Sequence, residues 1–270
     1  MVLNNIHVFC NVDAKKQAYK HKLTLGACMF ETSFSIDAKH KRFLDWFYEG
    51  LKKSVKDSKA IVAYNVMDER VFLSVACEDI FAVNMKSEIM DLLSQIFALG
   101  FKHDYLKKRL NIYKENLLTK TLINTMTLFD CENDKKLAKK ELFNQQVGAI
   151  DGFFNFRFKK LKKKWNEVID LTNENSIVLY NNDVAEEFLA FLFDALPSGE
   201  NEIKICKKDE KIQLFDKGGL KIPVTIPFWC DCEDEEAVLY NIVLLQPQKV
   251  VLCDEKSFSH DFVYIIKRFF

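Results

Sequence analysis

The chain has 270 residues, of which 49% are hydrophobic and 29% charged, and its basic and acidic side chains balance to a net charge of zero. A chain of this size and apolar content can bury a full core, which argues against disorder. Its longest apolar run, residues 188–193, is far shorter than the roughly 18 residues of a membrane-spanning helix. Residues 1–9 lack the cationic and apolar parts of a signal peptide, so we expect a cytoplasmic protein with no transmembrane segment.

Charge and proline are distributed unevenly. Residues 1–170 hold 29 basic and 21 acidic side chains, a net charge of +8, whereas residues 171–270 hold 10 and 18, a net charge of −8. All four prolines follow residue 196, and proline interrupts helices. These shifts predict a mainly helical domain with N-terminal strands over residues 1–196 and a small acidic α+β domain over residues 197–270. We expect the opposite charges to hold the two parts together.

The first half of the chain predicts strands followed by helices. Alternating apolar residues predict strands at residues 5–12 and 61–66. Helical spacing then predicts one helix between an Asn84 cap and a stop at Gly100, and a second along Leu106–Leu117.

Three more helices are predicted in the centre, over residues 135–147, 150–171 and 184–195. Beyond residue 200 the pattern changes to a hairpin of residues 202–206 and 211–215, a helix over residues 233–245, a buried strand over residues 249–253 and a last helix over residues 262–269. The predicted fold class is therefore α+β, with a predominantly helical centre between an N-terminal strand-containing region and a C-terminal ββαβα unit.

The predicted helix over residues 150–171 separates its side chains by chemistry. At about 100° per residue, its phenylalanines and other apolar residues fill one arc, and Lys159, Lys162 and Lys163 lie on a basic outer face. Arg157 falls inside the apolar arc, where a guanidinium is costly without hydrogen-bond acceptors. We therefore predict that Arg157 is at least half buried and paired with a carboxylate. Phe156 lies on the polar side, so we expect another part of the fold to cover it.

The stretch Asp151–Lys159, Asp-Gly-Phe-Phe-Asn-Phe-Arg-Phe-Lys, resembles the phenylalanine-rich segment with an embedded Phe-Arg-x-Lys that marks the YtxC-like sporulation proteins. The order of elements as far as Leu239–Cys253 is also similar, although residues 173–182 are unusually rich in asparagine. The resemblance covers residues 151–253. It implies a spore-forming bacterium of the Gram-positive type and a role connected with sporulation. It implies no catalytic residues, because none are established for that family.

Motifs for catalysis are missing from the sequence. It has no glycine-rich phosphate loop, no nucleophile elbow and no zinc-protease helix, so we predict a noncatalytic protein without a cofactor. The eight cysteines are scattered, and we expect free thiols. Cys230-Asp231-Cys232 has metal character, but further ligands could come only from Cys206, Cys253 or His260. We predict no structural metal there, with a cysteine- or metal-dependent enzyme as the alternative.

Lysines 159, 160, 162, 163 and 164, with lysines 135, 136, 139 and 140, make a positive patch that could bind nucleic acid or an anionic membrane. The pI is only about 6.9 and no recognition motif accompanies the patch, so these partners are alternatives. We expect a noncatalytic, sporulation-associated protein that acts through protein contacts. The candidate structural or interaction residues are Phe156, Arg157, Lys159, Lys162 and Lys163.

Overall fold

A computed structural model describes residues 29–54, 60–110, 116–143, 145, 147–173, 182–196, 199 and 201–270. The strand predicted at residues 5–12 lies outside these residues. The fold is α+β, as predicted, with strands towards both ends and helices between them. It divides into two compact units, the first containing the described residues up to Ile96 with Lys139–Arg157, and the second containing Phe97–Ala138 with Phe158–Phe270.

In chain order, the elements are β1 (Met29–Asp37), α1 (Lys41–Ser54), β2 (Ile61–Met67), β3 (Arg70–Glu78), α2 (Ala82–Gln95), α3 (Lys102–Arg109), α4 (Leu117–Leu128), α5 (Cys131–Phe143), α6 (Ile150–Arg157), α7 (Lys159–Asn173), α8 (Asn182–Ala195), β4 (Glu202–Lys208), β5 (Lys211–Asp216), β6 (Lys221–Ile222), α9 (Asp234–Leu245), β7 (Lys249–Leu252) and α10 (His260–Phe269). A π-helical segment, Ile96–Phe101, joins α2 to α3.

The first unit is a three-stranded antiparallel sheet packed against α1 and α2. Its strand order is β1-β3-β2, so β3 is central. Alternation along β3 buries Val71, Leu73, Val75 and Cys77, as expected for a sheet with one face on the core. At Gly50 of α1 an added Cβ would lie 2.8 Å from Leu92 Cδ2 of α2, so glycine allows the two helices to approach closely.

The second unit combines a four-stranded sheet with helices. Its strand order is β6-β5-β4-β7, where β4 and β7 are parallel and the other pairs antiparallel. The predicted hairpin of β4 and β5 is present, and Asp209 and Glu210 at its turn have φ of 51° and 62°. Two consecutive left-handed residues are typical of the turns that match strand twist. The chain then returns through α9 to β7, which completes the predicted ββαβα order with the short β6 added.

A hydrophobic core joins helices and strands of the second unit. Side chains of α4, α8, β4, α9 and α10 pack together, for example Leu122, Leu189, Ile205, Ile242 and Phe262. The boundary predicted between residues 196 and 197 therefore lies inside this unit, because helices before it and strands after it bury the same apolar surface. No helix within the described ranges is long and apolar enough to span a membrane.

Helix α4 runs through this core although it is rich in threonine. The hydroxyls of Thr121, Thr125 and Thr127 donate to the carbonyls four residues earlier at 2.7–2.8 Å. Asn116 caps the helix and exchanges hydrogen bonds with Thr119. Because each buried hydroxyl finds an acceptor within the helix, threonine costs little in this setting. The sequence-based prediction, which placed a helix over Leu106–Leu117, missed α4.

Candidate functional site

The phenylalanine-rich segment begins with an anchored carboxylate. Asp151, in the first turn of α6, accepts a hydrogen bond from Arg70 of β3, with Nη2 and Oδ1 2.9 Å apart. The same guanidinium donates to Ser35 Oγ of β1 at 3.1 Å. Ser35 also donates its backbone N–H to the carbonyl of Gly148 at 2.7 Å. These bonds fix the start of α6 on the edge of the first unit's sheet.

The helix predicted over residues 150–171 breaks at Phe158, between α6 and α7. In α6 the buried side chains are Ile150 and Phe154, four residues apart, so the buried stripe is narrower than the predicted arc. Arg157 lies beside this stripe and is exposed, so placing it in the apolar core was wrong. Phe156 is 77% exposed, and the expectation that the fold would cover it was also wrong.

The predicted basic face belongs to α7. Lys159 and Lys163 are exposed, as predicted, whereas Lys162 is half-buried and burial lowers its pKa. The exposed Glu167 and Asp170 follow Lys163 at positions that place them on the same outer face of the helix. The outer face of α7 is therefore of mixed charge.

Lys164, which the sequence placed in the basic patch, belongs to a buried ionic cluster. Its Nζ lies 2.6 Å from Oδ1 of Asp134, a fully buried carboxylate, and it also pairs with Asp130. Oδ2 of Asp134 accepts hydrogen bonds from Lys102 Nζ at 2.8 Å and from Trp165 Nε1 at 2.9 Å. Burial lowers the pKa of Lys102, which Asp134 opposes. We interpret this Asp134 cluster as structural, because its donors and acceptors satisfy one another.

The opposite net charges of residues 1–170 and 171–270 predicted ion pairs between these two parts of the chain. An ion pair of this kind is present in the second unit. Lys120 Nζ of α4 lies 3.0 Å from Glu236 Oε2 of α9. By contrast, the two carboxylates that bind Lys164 both belong to the front part of the chain.

Two thiols and a carboxylate converge at the N-terminus of α9. Cys230 and Cys232 lie in the irregular segment before this helix, with their Sγ atoms 3.2 Å apart, and Glu236 lies in its first turn. The two Sγ atoms and a carboxylate oxygen of Glu236 all lie within 4.8 Å of one another. Both thiols are partly accessible, whereas Glu236 is buried. We call these three residues the thiol–carboxylate cluster.

The segment that carries the two cysteines is held by its neighbours. Trp229 is buried, donates from Nε1 to Asn124 Oδ1 of α4 at 3.4 Å, and packs edge-on against Tyr240 of α9. Asn241 binds both backbone groups of Thr225, accepting from its N–H at 3.0 Å and donating to its carbonyl at 2.7 Å. Side chains of α4 and α9 thus position the cluster from both sides.

The surroundings of the thiol–carboxylate cluster disfavour the ionised forms of Cys232 and Tyr240. The hydrogen bond with Cys230, burial, and the charges of Cys230 and Glu236 strongly raise the pKa of the Cys232 thiol. Burial and the nearby Cys131, Cys230 and Cys232 raise the pKa of Tyr240 to about 12. At neutral pH the Cys232 thiol therefore keeps its proton, and a bound cation would reverse that preference.

Sequence reasoning considered Cys206, Cys253 and His260 as further ligands and did not single out Glu236. The signal that it missed is the spacing of Cys232 and Glu236. A residue just before a helix and a residue in its first turn can lie on the same side of the helix, and the buried Glu236 lies beside Cys232 in this way.

The expectation of free thiols was wrong for one pair. Cys206 of β4 and Cys253, directly after β7, form a disulfide with their Cα atoms 5.1 Å apart. The parallel pairing of β4 with β7 brings them together, since the N–H of Cys253 donates to the carbonyl of Ile205 at 2.9 Å. Cys77, Cys131, Cys230 and Cys232 are free, and Cys10 and Cys28 lie outside the described residues.

No protein-family model, curated protein or solved structure matches the chain. Membership of the YtxC-like sporulation proteins therefore stays a prediction from the resemblance of residues 151–253.

Proposed function

We propose that this protein is noncatalytic and acts in sporulation through contacts with partner proteins. The supporting observation is the exposure of large apolar side chains in the first unit. Phe156 and Phe143 are 77% and 74% exposed, and Ile80 and Val83 are each 77% exposed. Aromatic side chains are enriched in the buried centres of protein interfaces.

The two phenylalanines carry most of this argument. Fully burying such a side chain is worth about 1.5–3 kcal/mol relative to leaving it in water. Neither side chain is buried by the described part of the fold, so that free energy is available to an interface. We call Phe143 and Phe156 the contact surface. Phe156 lies within the segment on which the resemblance to the sporulation proteins rests, and this links the contact surface to the proposed process.

A second candidate function is binding of nucleic acid through α7, and the specific observation in its favour is the exposure of Lys159, Lys160 and Lys163. It ranks below protein binding because the exposed Glu167 and Asp170 reduce the net charge of that face. Affinity for phosphate backbones depends on the number of phosphates that a protein neutralises, and a mixed face neutralises few.

Quantitative capture in a spore-forming bacterium tests the proposal. The tagged full chain is crosslinked in growing and in sporulating cells, and recovered proteins are compared with those from a Phe143→Ser, Phe156→Ser double variant. The matched control is Phe191→Ser, which removes a 53% exposed phenylalanine from the second unit. Truncating a hot-spot side chain of an interface lowers the binding free energy by more than about 1 kcal/mol. We expect both phenylalanines to be hot spots, so recovery of a partner should fall about tenfold or more in the double variant.

The control variant should recover the partner as the wild type does, and all three proteins should melt at similar temperatures, since the substituted side chains are exposed. Equal recovery by the wild type and the double variant would overturn the contact surface. A partner captured equally in growing and in sporulating cells would overturn the link with sporulation alone.

A further inference from the structure

We propose that Cys230, Cys232 and Glu236 form a binding site for a zinc ion in the second unit. From the sequence we predicted no metal at Cys230 and Cys232, because only Cys206, Cys253 and His260 were considered as the further ligands. The structure uses Cys206 and Cys253 for a disulfide and supplies a different third ligand, Glu236. The proposal concerns a site separate from the contact surface of the first unit.

The spacing of the ligand atoms suits a tetrahedral ion. Two zinc–sulfur bonds of about 2.3 Å at the tetrahedral angle place the sulfurs about 3.8 Å apart, and a carboxylate oxygen binds at about 2.0–2.2 Å. The thiols are 3.2 Å apart, and all three ligand atoms fall within 4.8 Å of one another. Small rotations about the side-chain bonds of the two cysteines bring them to the required separation.

Charge and ligand type select the metal. Two thiolates and a carboxylate carry three negative charges, which a divalent ion together with Lys120, 3.0 Å from Glu236, balances. Soft thiolate ligands favour zinc over magnesium or calcium, which prefer oxygen. The three ligands leave a fourth tetrahedral position that water can occupy.

The surroundings meet two further requirements of a metal site. Trp229 and Tyr240 pack beside the ligands, and Asn124 and Asn241 hold the ligand-bearing segment by hydrogen bonds. A supporting layer of this kind orients ligands and is worth about 10–100-fold in affinity at known sites. Both thiols are partly accessible, which provides a path for the ion.

The test uses the untagged full chain, handled without oxygen and without added reductant so that Cys230 and Cys232 stay thiols and the Cys206–Cys253 disulfide stays closed, and stripped of metal with a chelator that is then removed. Cobalt(II) is added first, as a spectroscopic substitute, and zinc is then titrated against it. We expect one equivalent of cobalt to produce a near-ultraviolet thiolate-to-metal absorption band that zinc abolishes. Because the thiols must lose protons to bind, affinity should rise with pH, with about two protons released per zinc.

Two variants and two controls assign the ligands. Cys230→Ser, Cys232→Ser should lose the thiolate band, and Glu236→Gln, which keeps the shape of the side chain, should weaken zinc binding at least about tenfold. Asp234→Asn is the matched control, since it removes an exposed carboxylate from the same turn of α9. Cys131→Ser should bind as the wild type does, because Cys131 lies outside the thiol–carboxylate cluster.

A second measurement covers the case in which the double cysteine variant does not fold. Zinc should then slow alkylation of Cys230 and Cys232 in the wild-type chain, as mapped by mass spectrometry, while leaving alkylation of Cys131 unchanged. Absence of a thiolate band with cobalt, or alkylation rates at Cys230 and Cys232 that do not respond to zinc, would overturn the site. Equal zinc affinity in the Glu236→Gln and Asp234→Asn proteins would overturn the assignment of the carboxylate.

Discussion

The Asp134 cluster makes the sharpest stability prediction. Asp134 is fully buried, and its two oxygens accept from Lys102, Lys164 and Trp165 at 2.6–2.9 Å. In Asp134→Ala, Lys164 keeps Asp130 and access to water, since its side chain is 27% exposed. Lys102 keeps the neutral carbonyl of Phe129 at 2.6 Å but loses its carboxylate, and it has little access to water because its side chain is only 5% exposed. Removing one partner of a buried ion pair costs about 3–5 kcal/mol, and we expect that loss in the free energy of unfolding.

Asp130→Asn is the matched control, because asparagine tolerates the left-handed backbone of residue 130, whose φ is 54°. It removes a carboxylate four residues away that pairs with the same Lys164 but is 39% exposed. Exposed ion pairs are worth about 0–1 kcal/mol, so this variant should lose less than about 1 kcal/mol. The two substitutions therefore separate the effect of burial from the effect of losing a negative charge beside Lys164.

The pH dependence of Asp134→Ala provides an independent check. Burial lowers the pKa of Lys102, and removing Asp134 removes the charge that opposes this effect. Below the folded-state pKa, Lys102 is protonated in both states and the full penalty applies. As pH rises through that pKa towards the unfolded value of about 10.4, the folded protein binds fewer protons than the unfolded chain and is stabilised. The deficit of the variant should therefore shrink as pH rises towards the unfolded-state value of about 10.4.

Urea unfolding followed by tryptophan fluorescence measures these free energies. A Trp46→Phe background removes the tryptophan of the first unit, so that Trp165 and Trp229 report on the second. Equal losses in Asp134→Ala and Asp130→Asn, or an Asp134→Ala deficit that grows as pH is raised, would refute this account of the cluster.

The positions of individual side chains support three more predictions. Arg157→Ala should change the free energy of unfolding by no more than about 0.5 kcal/mol, since Arg157 is exposed, and a loss of several kcal/mol in thermal unfolding would restore the sequence-based prediction. DNA and anionic vesicles should bind weakly to the wild type at two salt concentrations, because acidic residues share the outer face of α7 with the lysines. A Lys159→Glu, Lys160→Glu, Lys163→Glu variant should bind them about as weakly. Tight, salt-sensitive binding by the wild type that is lost in the variant would contradict this prediction. Cys253→Ser should lower the free energy of unfolding by up to about 4 kcal/mol, the loop-closure value for a bridge spanning 47 residues, as measured by chemical unfolding. An unchanged free energy of unfolding, together with alkylation of Cys206 in the unreduced wild type, would contradict the disulfide.

Local sequence was sufficient wherever local forces choose the structure. The hairpin of β4 and β5, the helix α9 and the strand β7 follow from alternation, turn residues and helical spacing, and all lie close to where they were predicted. The α+β class follows from the same patterns. The exposed positions of Lys159 and Lys163 follow from the helical period alone.

Tertiary structure decided the features that depend on partners far apart in the chain. Thr121 and Thr125 resemble surface or loop residues in sequence, yet α4 is buried because α8, α9 and α10 pack around it. Cys206 and Cys253 meet only through the parallel pairing of their strands.

The break at Phe158 and the narrow buried stripe of α6 are also features that the sequence pattern did not predict. A helical period gives the angle of each side chain about the axis, but the width of the face that packs is set by the neighbouring elements. Arg157 and Phe156 were misplaced for this reason. Lys164 was assigned to an outer patch, although it pairs with the buried carboxylate of Asp134, thirty residues earlier. Spacing along the chain fixes direction, and only packing fixes burial, because burial depends on which distant surfaces come into contact.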